Sequence, residues 1–232
     1  MLNITDLVAS LGLPSIIDVI AHPDDGLAFL REAFTTTKAL GAVALTGVTY
    51  GSIGKITGQP PNQAEQDGTA RFIEKAAALA AEYDLRLGIE PCNRYETHLM
   101  NTAQQAVDYI ERVEADNLFI HLDTYHMHIE ETSYHLAFTQ AAPYLDYVHL
   151  SESNRGIPGC GMIDWDQVMG ALKTIDYKSS LTLESMNHVA QDIASGLAIW
   201  RPVVDMPDDV IDEGLPYIVT ATHNAVLDLD IS

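Results

Sequence analysis

Leu85-Arg86-Leu87-Gly88-Ile89-Glu90 alternates apolar side chains and closes on a carboxylate. Side chains alternate between the two faces of a β-strand. Leu85, Leu87 and Ile89 therefore share one face, and Glu90 closes the run on the other. A short apolar run ending in an opposite-facing carboxylate fits a buried strand whose last side chain leaves the apolar layer. The pattern recurs along the chain. Ile120 and Leu122 precede Asp123, Val148 and Leu150 flank His149, and Leu181 and Leu183 precede Glu184.

On both sides of this run, strands are expected over Ser15–Ile20, Ala42–Val48, Leu85–Glu90, Asn117–Asp123, Asp146–Leu150 and Ser180–Glu184. Amphipathic helices are expected over Gly26–Leu40, Asn62–Tyr83, Thr102–Glu114, Ser133–Ala142, Trp165–Ile175 and from about Asp208 to Leu227. Ile4 to Leu11 reads as the tail of a helix. Regular strand–helix alternation implies an α/β fold with a parallel sheet and right-handed crossovers. A (β/α)8 TIM barrel needs eight strands and typically about 250 residues. The six strands expected here imply a barrel that lacks its first one to two β/α units. Such a sheet has two edges to cover, by a loop or by a second chain.

Composition narrows the function classes. At 232 residues with 47% hydrophobic content, the chain can bury one large α/β core, so residues 1–232 are read as a single domain. Twelve Lys and Arg against 33 Asp and Glu give a net charge of −21, which repels nucleic-acid phosphates and anionic lipid surfaces. Two cysteines, Cys92 and Cys160, are too few for a disulfide framework and lack the spacing of a zinc-thiolate site. With no basic-then-apolar leader and no run long enough to span a bilayer, a cytoplasmic protein without membrane partners is expected.

In a barrel, the strand face opposite the helices points inward, and barrel active sites sit at the C-terminal ends of the strands. Glu90, Asp123, His149 and Glu184 all take that place. Converging carboxylates would be driven to protonate without a compensating cation. Three carboxylates and one imidazole suit a hard or borderline divalent ion such as Mn²⁺, Mg²⁺ or Co²⁺. A single Glu or Asp at a strand end is more often a cap or a surface group; the conjunction of four with one parity carries the metal reading. His121, one layer below Asp123, reads as core packing, Cys92 as structural, and Asp164 as the N-cap of the helix that Trp165 enters.

The segments Ile89-Glu90-Pro91-Cys92-Asn93-Arg94-Tyr95-Glu96, His121-Leu122-Asp123-Thr124-Tyr125-His126-Met127, His149-Leu150-Ser151-Glu152-Ser153-Asn154-Arg155 and Leu183-Glu184-Ser185 resemble those of ketose 3-epimerases of the D-tagatose/D-psicose type, in the xylose-isomerase-like barrel superfamily. The resemblance runs from about Arg31 to Trp200. It implies a Mn²⁺-type ion held by Glu90, Asp123, His149 and Glu184, and contacts from Glu96, His126 and Arg155 to a ketose substrate. It further implies that Glu90 and Glu184 move the C3 proton through a cis-enediolate, and that the protein is a homodimer or homotetramer. Without the family, Glu96 reads as a solvated loop charge and Arg155 as the partner of Glu152. Another sugar isomerase or an inosose dehydratase of the superfamily, or a metal- or sugar-binding remnant without turnover, are the competing readings. A nuclease of the related barrel type is disfavoured by the acidic charge.

Overall fold

The computed structural model describes residues 8–13, 18–186, 194, 197–225 and 227. The chain divides between His121 and Leu122 into two compact units.

The first unit contains β1 (Val8–Leu13), α1 (Pro23–Ala39), β2 (Ala44–Ser52), α2 (Gln63–Ala81), β3 (Arg86–Ile89), α3 (Ala103–Val113) and most of β4 (Leu118–Asp123). Its strands pair in parallel in the order β1-β2-β3-β4, with Ala44 opposite Arg86 and Ile89 opposite Ile120. Leu45, Leu87, Ile89 and Ile120 are buried with Leu30, Phe34, Phe72 and Ile73 of α1 and α2. Burying a large apolar side chain stabilises by about 1.5–3 kcal/mol, so this layer is the main force holding the unit together. On the opposite face of β3, Gly88 has no room for a side chain: a Cβ there would lie 2.0 Å from Thr46 Oγ1 and 2.7 Å from the Phe119 ring.

The second unit contains the end of β4, α4 (Thr124–Glu130), α5 (Tyr134–Ala141), β5 (Leu145–Ser151), α6 (Trp165–Thr174), β6 (Ser180–Glu184), a π-helical turn (Val210–Gly214) and α7 (Leu215–Asn224). β5 and β6 pair in parallel, with Ser151 opposite Glu184. Val148 and Leu150 are buried, as are Phe138 of α5 and Val168 and Leu172 of α6.

Five of the six expected strands appear within a few residues of their expected bounds. The first does not. Asp18 to Ile20 leave no strand, because the Asp18 carboxylate accepts from the Ile20 and Ala21 amides and turns the chain into α1; residues 15–17 of that expectation lie outside the described residues. The strand is instead β1, over part of the segment expected to be helical. Expected helix starts are accurate where a cap marks them: Asn62 and Thr102 each form a capping box, and Ser133 and Asp164 cap α5 and α6. The sequence pattern predicts no helix at α4, since seven residues carry too little periodicity to stand out beside a strand. Among the described residues, no helix is long and apolar enough to cross a membrane.

Candidate active site

In the first unit, the Glu90 amide donates to the Gly47 carbonyl (3.0 Å), and the buried Tyr50 hydroxyl donates to the Glu90 carbonyl (2.9 Å). These bonds fix the main chain as it leaves β3. The Glu90 carboxylate is buried, 3.5 Å from Nδ1 of the fully buried His121. His121 is thus packed in the core and also faces a candidate ligand. Glu96 is buried too, and its carboxylate accepts from Asn93 Nδ2 (2.9 Å), so it is no solvated loop charge. The Glu96 carbonyl also accepts from the Gly54 amide (2.7 Å), pinning the segment that follows β2.

The second unit gathers the remaining expected residues. Asp123 ends β4 and caps α4: its Oδ1 accepts from the Tyr125 amide (2.8 Å), while Oδ2 accepts from Arg155 Nη1 (2.6 Å). The same Nη1 donates to Glu184 Oε2 (2.5 Å), and Glu184 Oε1 lies 3.3 Å from His149 Nδ1. Arg155 Nη2 lies 3.3 Å from His126 Nε2, and the guanidinium rests over the Tyr125 ring, 4.0 Å from its centroid. Burial alone would raise the Asp123 pKa, but the Arg155 charge, with His126 and His149, outweighs it and holds the carboxyl well below its ordinary value. Burial and the Arg155 charge push His126 down to about 3, so its imidazole is neutral.

Arg155 does not pair with Glu152, as a surface reading would have it. Glu152 is fully buried and accepts from the amides of Ser153, Gly159 and Ile163 and from the Trp165 indole. It braces the loop that carries Arg155.

Asp123, His149 and Glu184 each offer one ligand atom, and the three atoms lie within 4.8 Å of one another. Two carboxylate oxygens and one imidazole nitrogen are a donor set that fits a divalent cation. The metal reading of these three positions thus has a geometric basis within one unit. Glu90 and Glu96 stand in the other.

A family model described as the xylose isomerase-like TIM barrel matches residues 6–206. The chain is 35% identical over 219 residues to the L-ribulose 3-epimerase of Methylomonas sp. strain DH-1, covering 90% of this chain and 75% of that protein. It is 36% identical over 199 residues to the ketose 3-epimerase of Arthrobacter globiformis, covering 83% and 68%. This chain belongs to the ketose 3-epimerase family of xylose isomerase-like TIM barrels. Among solved structures, the Methylomonas D-allulose 3-epimerase in complex with D-allulose aligns with a TM-score of 0.87 at 35% identity, over 92% of this chain and 76% of that one. An L-ribulose 3-epimerase aligns with a TM-score of 0.90 at 31% identity, over 95% and 76%. This family member therefore has the α/β TIM-barrel class of fold and stands among the sugar isomerases.

Three neighbours of the site escaped the sequence reading: Thr124, Tyr125 and Ser151. Ser151 carried a signal, since it shares its strand parity with His149; a hydroxyl, however, announces no chemistry by itself.

Proposed function

We propose that the chain is a divalent-metal-dependent ketose 3-epimerase that interconverts C3 epimers of a free ketose of the D-tagatose, D-psicose/D-fructose or L-ribulose type. The observation that carries this reading is the close-set Asp123, His149 and Glu184 in a chain whose relatives are named 3-epimerases. Glu90 is assigned as the fourth ligand because it directly follows β3, at the C-terminal end where Asp123 closes β4. The ion is assigned as Mn²⁺, with Co²⁺ or Mg²⁺ as alternatives, acting in residues 1–232 as one barrel domain. A divalent ion bound there supplies Lewis-acid polarisation of the ketone, making the neighbouring C–H more acidic.

The remaining roles belong to side chains. Epimerisation at C3 removes a proton from one face of the sugar and returns one to the other, so two proton-carrying groups are required. Glu90 and Glu184 take those places, one as base and the other as acid, with the roles exchanged in the reverse reaction. Arg155, His126 and Glu96 bind sugar hydroxyls and set which carbon lies between the two carboxylates. The neutral His126 accepts or donates a hydrogen bond without adding charge. Buried Asp123, carrying neither sugar nor proton, serves as ligand only. The functional assembly is proposed to be a homo-oligomer, a dimer or tetramer, in the cytoplasm.

The test is proton NMR of fructose, psicose, tagatose and ribulose incubated in D₂O with the protein and Mn²⁺. Deuterium at C3 with accumulation of the epimer, lost in Glu184→Gln, is the expected result. Exchange at C1 or C2 would instead assign an aldose–ketose isomerase, and bound Mn²⁺ without exchange would assign a binding protein.

A further inference from the structure

The Ser151 hydroxyl, fully buried at the end of β5, stands between the two charged groups that meet across β5 and β6. Its Oγ lies 3.1 Å from Glu184 Oε2 and 3.1 Å from Arg155 Nη1. An Arg Nη carries only two protons. Arg155 Nη1 already has two closer acceptors, Asp123 Oδ2 at 2.6 Å and Glu184 Oε2 at 2.5 Å. The serine proton is therefore directed at Glu184 Oε2, and the arginine contact is the weaker, shared one. The main chain of Ser151 is clamped in turn: its amide donates to Thr124 Oγ1 (2.8 Å), and the Thr124 hydroxyl donates to its carbonyl (2.6 Å).

Glu184 needs such an anchor. The terminal torsion of a glutamate is broad, so packing alone fixes its carboxylate plane only in a tight site. The Glu184 side chain is 23% exposed, whereas Asp123 is fully buried. We infer that Ser151, clamped by Thr124, is a positioning residue that sets the Glu184 carboxylate plane, turning Oε1 toward His149 and keeping Oε2 on the side of Arg155. The two oxygens are thereby given separate places, as one carboxylate that both holds an ion and carries a proton requires. This inference rests on the epimerase reading for its catalytic consequence, though not for its effect on ion binding.

Ser151→Ala and Thr124→Val in the full chain test it, with Ser151→Thr as the variant that retains the hydroxyl. Groups that orient a metal ligand typically cost 10- to 100-fold in affinity or activity when removed. The expectation is a fall of roughly tenfold in kcat for L-ribulose with KM nearly unchanged, and a rise of roughly tenfold in the Mn²⁺ dissociation constant measured by calorimetry. Ser151→Thr should keep both close to wild type; the melting temperature of metal-free Ser151→Ala should stay near that of wild type, whereas that of Thr124→Val should fall, because the buried Ser151 amide loses its acceptor. If wild type does not turn over any of the four ketoses yet Ser151→Ala weakens Mn²⁺ binding, the positioning role holds and the epimerase reading fails. Unchanged kcat and unchanged Mn²⁺ affinity in both Ser151→Ala and Thr124→Val would overturn the inference. So would an equal loss in Ser151→Thr, which would mean that shape rather than the hydroxyl matters. Should Ser151→Ala not fold, Thr124→Val alone decides between these outcomes.

Discussion

Replacing Glu152 with Gln is the sharpest test of how the arginine loop is held, because it changes one oxygen to an NH₂ group and leaves the volume almost untouched. Oε1 accepts from the Ser153 and Ile163 amides, and Oε2 from the Gly159 amide and the Trp165 indole. A glutamine must aim its NH₂ group at one of these pairs, donor against donor. Each pair contains one buried group, Ile163 or Trp165, so neither orientation escapes leaving a buried donor unsatisfied. That penalty is about 1–3 kcal/mol. With a urea dependence of about 1–3 kcal/mol per molar, the unfolding midpoint should fall by on the order of 1 M. Glu152→Ala strips the acceptor from both buried donors and should lose roughly twice as much.

The pH dependence of the same variant adds an independent check. Burial raises the Glu152 pKa, but the hydrogen bonds from Ile163, Ser153, Trp165 and Gly159 outweigh it, so the folded value lies below the ordinary one. A carboxylate depressed on folding contributes stability that is fully present above its unfolded pKa, about 4.3, and lost as pH falls through the folded value. The deficit of Glu152→Gln should therefore be full at pH 7 and shrink as pH drops below about 4. Both tryptophans, Trp165 and Trp200, lie in the second unit, so indole fluorescence during urea titration reads the affected part of the chain. Coincident midpoints for wild type and Glu152→Gln between pH 8 and pH 5 would refute the account.

Gly88→Ala should destabilise by at least about 1–3 kcal/mol, since the added methyl meets Thr46 and Phe119 inside the first unit; urea denaturation followed by far-ultraviolet circular dichroism measures it. His126 should remain neutral down to about pH 3, so its ring Cε1 proton signal should not titrate between pH 5 and 8. Because that depressed value leaves the unfolded imidazole the stronger base, the His126 contribution to stability is present above pH 6.5 and lost progressively as pH falls toward 3. Mn²⁺ at a hundredfold excess over its dissociation constant should stabilise the chain by about 2.7 kcal/mol, removable by a chelator and greatly reduced in Asp123→Asn. Calorimetric melting with and without the ion reads this directly.

The strands from Arg86 onward were legible because each combines an apolar alternation with a titratable residue of opposite parity at or near its C-terminal end, and the helices because Asn62, Thr102, Ser133 and Asp164 mark their starts. Neither signal exists at the N-terminal end. Ile4 to Leu11 mixes polar and apolar residues at a spacing that also fits a helix, and the strand over Val8–Leu13 is defined by its pairing with β2, a non-local contact that no local pattern encodes. The same limit applied to the site. Parity identified Asp123, His149 and Glu184 as facing one way, but it could not name the partner each would find.

Arg155 illustrates that limit most clearly. In sequence it sits three residues from Glu152, the ordinary spacing of a surface ion pair. The chain, however, turns after Glu152, and Arg155 adopts a left-handed backbone with φ of 61°, a conformation that disfavours side chains beyond Cα by roughly 1–2 kcal/mol. That turn sends the two side chains apart: Glu152 into a cage of backbone amides, and Arg155 onto Asp123, Glu184 and the face of Tyr125. Glycine would relieve the backbone strain and would lose every one of those contacts. Strain retained at a position whose side chain binds two carboxylates is what a functional arginine would show. It accounts for why Glu152 must be so completely satisfied: the loop it braces holds a conformation that its local sequence does not favour.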